Sequence, residues 1–326
     1  MTLPKSATAL VKIALSVNDI YCAAAVYSIA NSTQKSALNM TMFGKRRDAL
    51  RLASWAHTPS SVLQALRMLP DAAVLIRLSK KSTSKVIAVS SAQKELPKTE
   101  RQLAKDSRTQ MTLIEKAAIS DNALVRRLVA ARTDLDTDLM SLLSVDEDSW
   151  VRQRLGRNPI LSELLMQQLA NDTMDDVKRA IVRNPSCPLW LLNQLANDKC
   201  AWVRAGVAYQ VNASSELMQQ LATEDDVDVL SGVASNPNSP ASILVKLAQH
   251  IDGDVRRGVI LNPSTTRSIL LPLLQDPYYL HRLILVSNKK LTKSDKWSLH
   301  DDPDYRVRFS VFKWFSEALA KTKAIH

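Results

Sequence analysis

The sequence predicts an all-α fold, a right-handed α-solenoid of two-helix repeats with a 26-residue period. Three observations carry that expectation. One column, apolar but for His281, runs Val125, Val151, Val177, Val203, Val229, Val255, His281, Val307, and four residues later stand Val129, Leu155, Ile181, Val207, Val233, Val259, Leu285 and Val311. A second pair four apart follows in each unit, as in Leu165 with Leu169 and Leu191 with Leu195. Between the two pairs sits a punctuation mark, Asn158-Pro159, Asn184-Pro185, Asn236-Pro237 and Asn262-Pro263.

The spacing of four puts both residues of a pair on one helix face, so the first column predicts the first helix of each unit. Proline disfavours the α conformation in the residue before it, and Asn tolerates the left-handed conformation that ends helices. An end to the first helix at the Asn, in that conformation, is therefore expected. Ser214-Ser215-Glu216 and Ser239-Pro240 precede the second helix, where Ser can cap and Pro suits the first helical position. A third column, Asp146, Asp172, Asp198, Glu224, His250, Asp276, Asp302, is expected to cap the next first helix and meet its positive dipole end. Gly206, Gly232 and Gly258 recur at one phase, which predicts a close approach of neighbouring helices.

Each unit cannot bury its apolar face alone, and stacking makes one continuous core. The expected organisation is an N-terminal helical cap over 1–40, diverged basic helical repeats over 41–98, and regular repeats over 99–326. Phe309, Phe312, Trp314 and Phe315 replace the usual small or polar residues near the end and predict an aromatic C-terminal cap. No run is apolar enough to span a membrane. Cys22, Cys187 and Cys200 lack disulfide or zinc spacing, which fits a reducing cytoplasm.

The phrase DDVKRAIVRNPSCPLWLLNQLAND from Asp175 to Asp198 resembles the leucine-rich repeat variant proteins and, more broadly, the HEAT-like α-solenoids. The resemblance covers about residues 99–315 and implies an architecture; such repeats serve many partners. One branch of the variant family carries a cysteine-ligated N-terminal iron–sulfur cluster. This chain has only Cys22 in that region, so neither a cluster nor any other cofactor or metal is expected.

Net charge is +11 and unevenly spread: residues 1–108 hold 17 Lys/Arg against 6 Asp/Glu, while the remainder balances at 26 of each. Lys45, Arg46, Arg47, Arg51, Lys80, Lys81 and Lys85 stand out there as candidate contacts to nucleic acid or another polyanion, since this charge has few acids nearby in sequence. Arg126, Arg152, Lys178, Arg204, Arg256, Arg282 and Arg308 form a further cationic column. It reads either as a structural ladder with the Asp column or as a binding ladder, with Arg126 and Arg152 as contacts. Trp150 and Trp202 share one phase two repeats apart and are candidates to flank a nucleic-acid groove. No HExxH, P-loop, GxSxG or GxGxxG is present, so no catalytic residue is expected. Three functions stay open: a non-enzymatic binding module for nucleic acid or another polyanion, a protein–protein scaffold with an acidic partner, and a HEAT-like DNA glycosylase, in which Asp176 is the catalytic carboxylate that the resemblance implies.

Overall fold

The computed structural model describes residues 2–69, 71, 74, 77, 78 and 111–323. The chain divides into two compact units: a central one, Ser91–Thr265, and a terminal one made of Met1–Ser90 with Thr266–His326. The described residues are helical, with no strand among them. No helix among them is long and apolar enough to cross a membrane. Much of the expected basic segment 41–98, including Lys80, Lys81 and Lys85, lies outside the described residues.

The terminal unit begins with α1 (Ala7–Val17), α2 (Ile20–Val26), α3 (Ser32–Phe43), α4 (Arg46–Ser54) and α5 (Ser60–Arg67). The central unit holds α6 (Met111–Ala118), α7 (Ala123–Ala130), α8 (Thr137–Ser144), α9 (Ser149–Gly156), α10 (Glu163–Ala170) and α11 (Asp175–Val182). It continues through α12 (Leu189–Leu195), α13 (Ala201–Ala208), α14 (Ser215–Leu221), α15 (Val227–Ser235), α16 (Ala241–Leu247) and α17 (Gly253–Leu261). The terminal unit then closes with α18 (Arg267–Leu273), α19 (Tyr279–Ser287), α20 (Lys293–Trp297) and α21 (Tyr305–Lys323).

The expected period is present in the helix starts. First helices begin at Ala123, Ser149, Asp175, Ala201, Val227 and Gly253, and second helices at Thr137, Glu163, Leu189, Ser215 and Ala241. In the central unit each first helix packs on the next first helix, from α7 through to α17, while α8, α10 and α12 stack beside them. Val151, Val177, Val203, Leu155, Ile181 and Leu191 are fully buried between the rows, each contributing about 1.5–3 kcal/mol relative to exposure. Glycine sets the spacing of the first row. A Cβ on Gly232 would stand 2.6 Å from the Ala208 Cβ, and one on Gly258 2.7 Å from the Ala234 Cβ.

The Asn-Pro punctuation acts differently from the expectation. Asn236 and Asn262 end α15 and α17 at φ −74° and −63° with ψ near 127°, the extended state that a following proline imposes. Asn18, which ends α1, has the one positive φ among described non-glycine residues. The repeat asparagines are instead buried and tie one repeat to the next. Asn184 Nδ2 donates to the Gly156 carbonyl at 2.8 Å and the Asn158 carbonyl at 2.7 Å, and its Oδ1 accepts from the Ser186 amide at 2.9 Å. Asn158, Asn236 and Asn262 repeat the pattern, and Gln210 replaces Asn in one unit, reaching Val182 and Asn184 carbonyls at 2.7 and 3.2 Å. These bonds satisfy the carbonyls that the end of the previous first helix leaves open.

In the terminal unit α21 continues the repeat, packing on α19 on one side and on α1 and α2 on another. The aromatic residues expected to cap the stack form this joint. Phe309 meets the Trp55 ring edge-on at 4.5 Å, and Tyr305 stacks on Tyr21 at 4.1 Å. Phe312 and Phe315 enclose Trp297 at 5.5 and 5.0 Å, and Trp314 faces the Lys296 ammonium at 4.3 Å. His281, the polar exception of the first column, is buried with Nδ1 3.0 Å from an Asp276 carboxylate oxygen.

Candidate functional site

The cationic column faces inward. Arg126 is 7% exposed. Its Nε and Nη2 donate to the Asp146 carboxylate at 2.7 and 2.9 Å while Nη1 donates to the Ser120 carbonyl at 2.8 Å. Arg152 treats Asp172 and the Asp146 carbonyl in the same way, at 2.6, 3.0 and 2.6 Å. Lys178 with Asp198 and Arg204 with Glu224 continue the series. Both oxygens of the acid and the fork of the arginine are taken up by these pairs. Arg126 and Arg152 thus have their forks occupied by Asp146 and Asp172, the arrangement of a structural ladder. The acid column also differs in detail. Asp146, Asp172 and Asp198 accept from the amide two residues on, at 2.9, 2.8 and 2.8 Å, in the turn before the helix. Where a side-chain cap is present in these units it comes from the residue two positions later, as Asp148 caps α9.

The N-terminal basic residues are exposed but carry more compensation than the sequence suggests. Arg46 holds Asp71 at 2.6 Å, while Arg47 and Arg51 flank Asp48 at 3.7 and 3.6 Å. Lys45 precedes α4 and enters no ion pair among the described residues. Exposed pairs of this kind are weak and screened by solvent, so a phosphate can displace them.

The exposed face of the first helices in the central unit is the stronger site. Trp150 and Trp202 are 56% and 57% exposed. Each lies beside an arginine from the preceding first helix, Arg127 at 5.3 Å and Arg179 at 4.6 Å from the ring centre, a cation–π geometry. Around them Arg154, Arg157 and Arg183 are exposed and make no ion pair among the described residues. Arg127 is held by Asp148 at 3.1 Å, and Arg179 stands 3.8 Å from Asp176. Burial, and then the positive charges of Arg179 and Arg157, pulls Arg183 below its ordinary value. Sequence reasoning does not single these arginines out, although a signal is there: Arg127 precedes Trp150, and Arg179 precedes Trp202, by the same spacing, a little less than one repeat.

Between α11 and α13 this face opens into a cavity of about 240 Å³ lined by Arg179, Arg183, Trp202, Tyr209, Gln210 and Asp228. Asp176 is exposed in the first turn of α11, a solvated carboxylate paired with Arg179 and not a shielded base. Among the described residues no cluster of His, Cys, Asp and Glu is placed to hold a metal ion.

These features define a helical-repeat module. No protein family matches the sequence, and no curated protein does. Among solved structures the chain is similar to a leucine-rich repeat variant with a novel repetitive structural motif, at 23% identity and a TM-score of 0.48, over 67% of this chain and 87% of that one. The fold assignment itself rests on the helices and register of this chain.

Proposed function

We propose that the protein binds nucleic acid through the exposed face of the first helices in its central unit. The observation that supports this reading is the contrast between two sets of arginines in the same repeats. Those of the inward column are neutralised by acids of the next unit, whereas Arg154, Arg157 and Arg183 are exposed and make no ion pair among the described residues, and Arg183 lines one cavity with Trp202. Unpaired guanidinium groups attract phosphates, and exposed aromatic rings accept bases. The basic residues Lys45, Arg46, Arg47 and Arg51 supply a second, weaker surface of the same sign.

Fluorescence anisotropy with labelled single-stranded and duplex oligonucleotides tests the proposal. Binding is expected to fall steeply with salt, and Arg157→Glu with Arg183→Glu to weaken it at least about tenfold and to reduce the salt slope by about one for each phosphate-binding arginine replaced. Absence of binding to any nucleic acid at ~50 mM salt, where such interactions are strongest, sinks the reading.

A protein partner is favoured by one separate observation. On the second helices of the central unit Leu164 is 76% exposed and Leu189 and Trp190 are also exposed, with Trp190 Nε1 donating to Glu163 at 3.3 Å. A scaffold that works through this patch retains a co-purifying protein after nuclease treatment and releases it on Leu164→Glu.

A further inference from the structure

We infer that the cavity between α11 and α13 seats one unpaired nucleotide, so that the strand bound on this face is single and not double. The inference rests on the nucleic-acid reading above and adds a substrate class to it.

The cavity has three kinds of wall. Its floor is Val182, Ala205 and Gly206. A Cβ on Gly206 would lie 3.2 Å from Val182 Cγ1, so the glycine lets α13 lie close on α11 at this point. α11 and the residue that ends it supply Arg179 and Arg183, α13 and the residue that ends it supply Trp202 and Tyr209, and α15 supplies Asp228. The cavity has a volume of about 240 Å³ and is open to solvent, so a phosphate and part of a base enter it while the rest of the nucleotide stays outside.

The cationic side is only partly satisfied, with Asp176 3.8 Å from Arg179. Arg179 Nε is buried and donates to nothing among the described residues, although burying such a donor without a partner is costly. Arg183, exposed at the rim, faces two further arginines and no acid within ion-pair distance among the described residues. An anion between the two guanidinium groups supplies the counter-charge that Arg183 lacks. The guanidinium of Arg179 is itself held against Trp202 at 4.6 Å, so its remaining N–H groups point from a fixed position.

The aromatic side suits a base. Arg179 lies over the indole at 4.6 Å and more than half of Trp202 is exposed, so the ring is accessible to a base. Tyr209 lines the same cavity and offers its phenol O–H to a base edge. Asp228 repels phosphate and accepts from a base N–H, which orients the nucleotide with its phosphate toward Arg179 and Arg183. In a duplex the base faces are stacked and cannot reach the indole; only an unpaired base uses both sides of the cavity.

The test measures wild type, Trp202→Ala and Tyr209→Ala against labelled oligothymidylate and against a duplex of equal length, with polyglutamate as competitor. Trp202 and Tyr209 are exposed, and an unchanged melting temperature for each variant confirms intact folding. Trp202→Ala is expected to weaken oligothymidylate binding by about five- to a hundredfold and to leave duplex binding within about twofold, since phosphate contacts alone serve the duplex. Tyr209→Ala follows in the same direction, and polyglutamate competes poorly because it has charge without bases. Equal binding of both nucleic acids, unmoved or moved together by Trp202→Ala, overturns the nucleotide seat and leaves the broader reading standing; polyglutamate competing as well as oligothymidylate overturns it too. No binding of either nucleic acid overturns both.

Discussion

Arg308 takes Asp19, 289 residues earlier in the chain, in the way that Arg282 takes Asp302 in the following repeat. In each case the arginine fork grips the acid while Nη1 donates to the carbonyl six residues back, Asp302 for Arg308 at 2.7 Å and Asp276 for Arg282 at 2.5 Å. Asp19 also accepts from the amide two residues on, Tyr21, at 2.7 Å, as Asp302 does from Asp304 at 2.8 Å. The start of α2 thus occupies the place that the next repeat occupies elsewhere.

Breaking this pair loosens the terminal unit. Asp19→Asn and Arg308→Gln are each expected to cost about 1–3 kcal/mol, the range for a hydrogen-bonded charge losing its partner. A double-mutant cycle on thermal unfolding is expected to show coupling, because each single change already removes the interaction. Limited proteolysis reports the site: cleavage among α1 to α3 accelerates in either variant. Additive effects with unchanged proteolysis count against it.

Asn184→Ala removes two donors from a fully buried position and leaves the Gly156 and Asn158 carbonyls without them. A loss of about 2–4 kcal/mol is expected, read from the denaturant midpoint. Asn184→Asp is expected to be worse, since a carboxylate oxygen then faces a carbonyl. Asn184→Gln stands in the manner of Gln210 and recovers part of the loss.

Gly232→Ala gains helix propensity of about 1 kcal/mol, yet its Cβ would meet Ala208 Cβ at 2.6 Å and the Ala205 carbonyl oxygen at 3.1 Å. Overpacking of about 1–3 kcal/mol outweighs the gain, and a lowered melting temperature is expected. Gly156→Ala has side-chain atoms as its nearest neighbours, at 3.2 Å, and is expected to be milder. Adding Ala208→Gly to Gly232→Ala relieves the clash, so the pair is expected to be more stable than the sum of the two single changes.

Acid acts on the terminal unit through Asp295. The Arg267 guanidinium, hydrogen-bonded at 2.6 and 2.7 Å, holds its carboxyl well below the usual range, with help from Thr292 and against the effect of burial. Arg306 holds Asp304 low in the same sense. A folded value below the unfolded one of about 3.9 means that the stabilisation is complete above that pH and is lost as pH falls toward the folded value. Melting temperatures are expected to drop between about pH 5 and pH 2, by less in Arg267→Gln. A drop of equal size in the variant rules out this pair as a source.

Burial raises the Cys22 thiol far above its ordinary value and pushes Cys187 up to about 12, whereas Cys200 is half-buried. The thiolate is the reactive form. A thiol reagent at neutral pH is expected to modify Cys200 quickly and the other two only as the chain unfolds.

Much of this architecture is legible from one sequence because each column reports a local rule. Val177 with Ile181 marks a helix face, and the register of helix starts follows it. Asn184 departs from the expectation for a physical reason: its role lies in carbonyls one repeat earlier, and no rule about its own neighbours contains them. The acid and arginine columns are visible in the sequence, but two outcomes fit them equally until distance shows Arg126 on Asp146. Arg179 and Arg183 look like any solvated charge, since only geometry separates a cation with a partner from one without. Asp19 gives no sign at all, because it sits outside every column it completes.

The central unit ties each repeat to the previous one through bonds 20 to 28 residues apart, so it can close progressively as the chain leaves the ribosome. Asp19 has no such neighbour to wait for. At about 5–20 residues per second, the 289 residues that separate it from Arg308 take about 15–60 s to make. During that interval the apolar residues of α2 and the ring of Trp55 have no α21 to cover them. α1 and α2 are made early and completed only when α21 arrives.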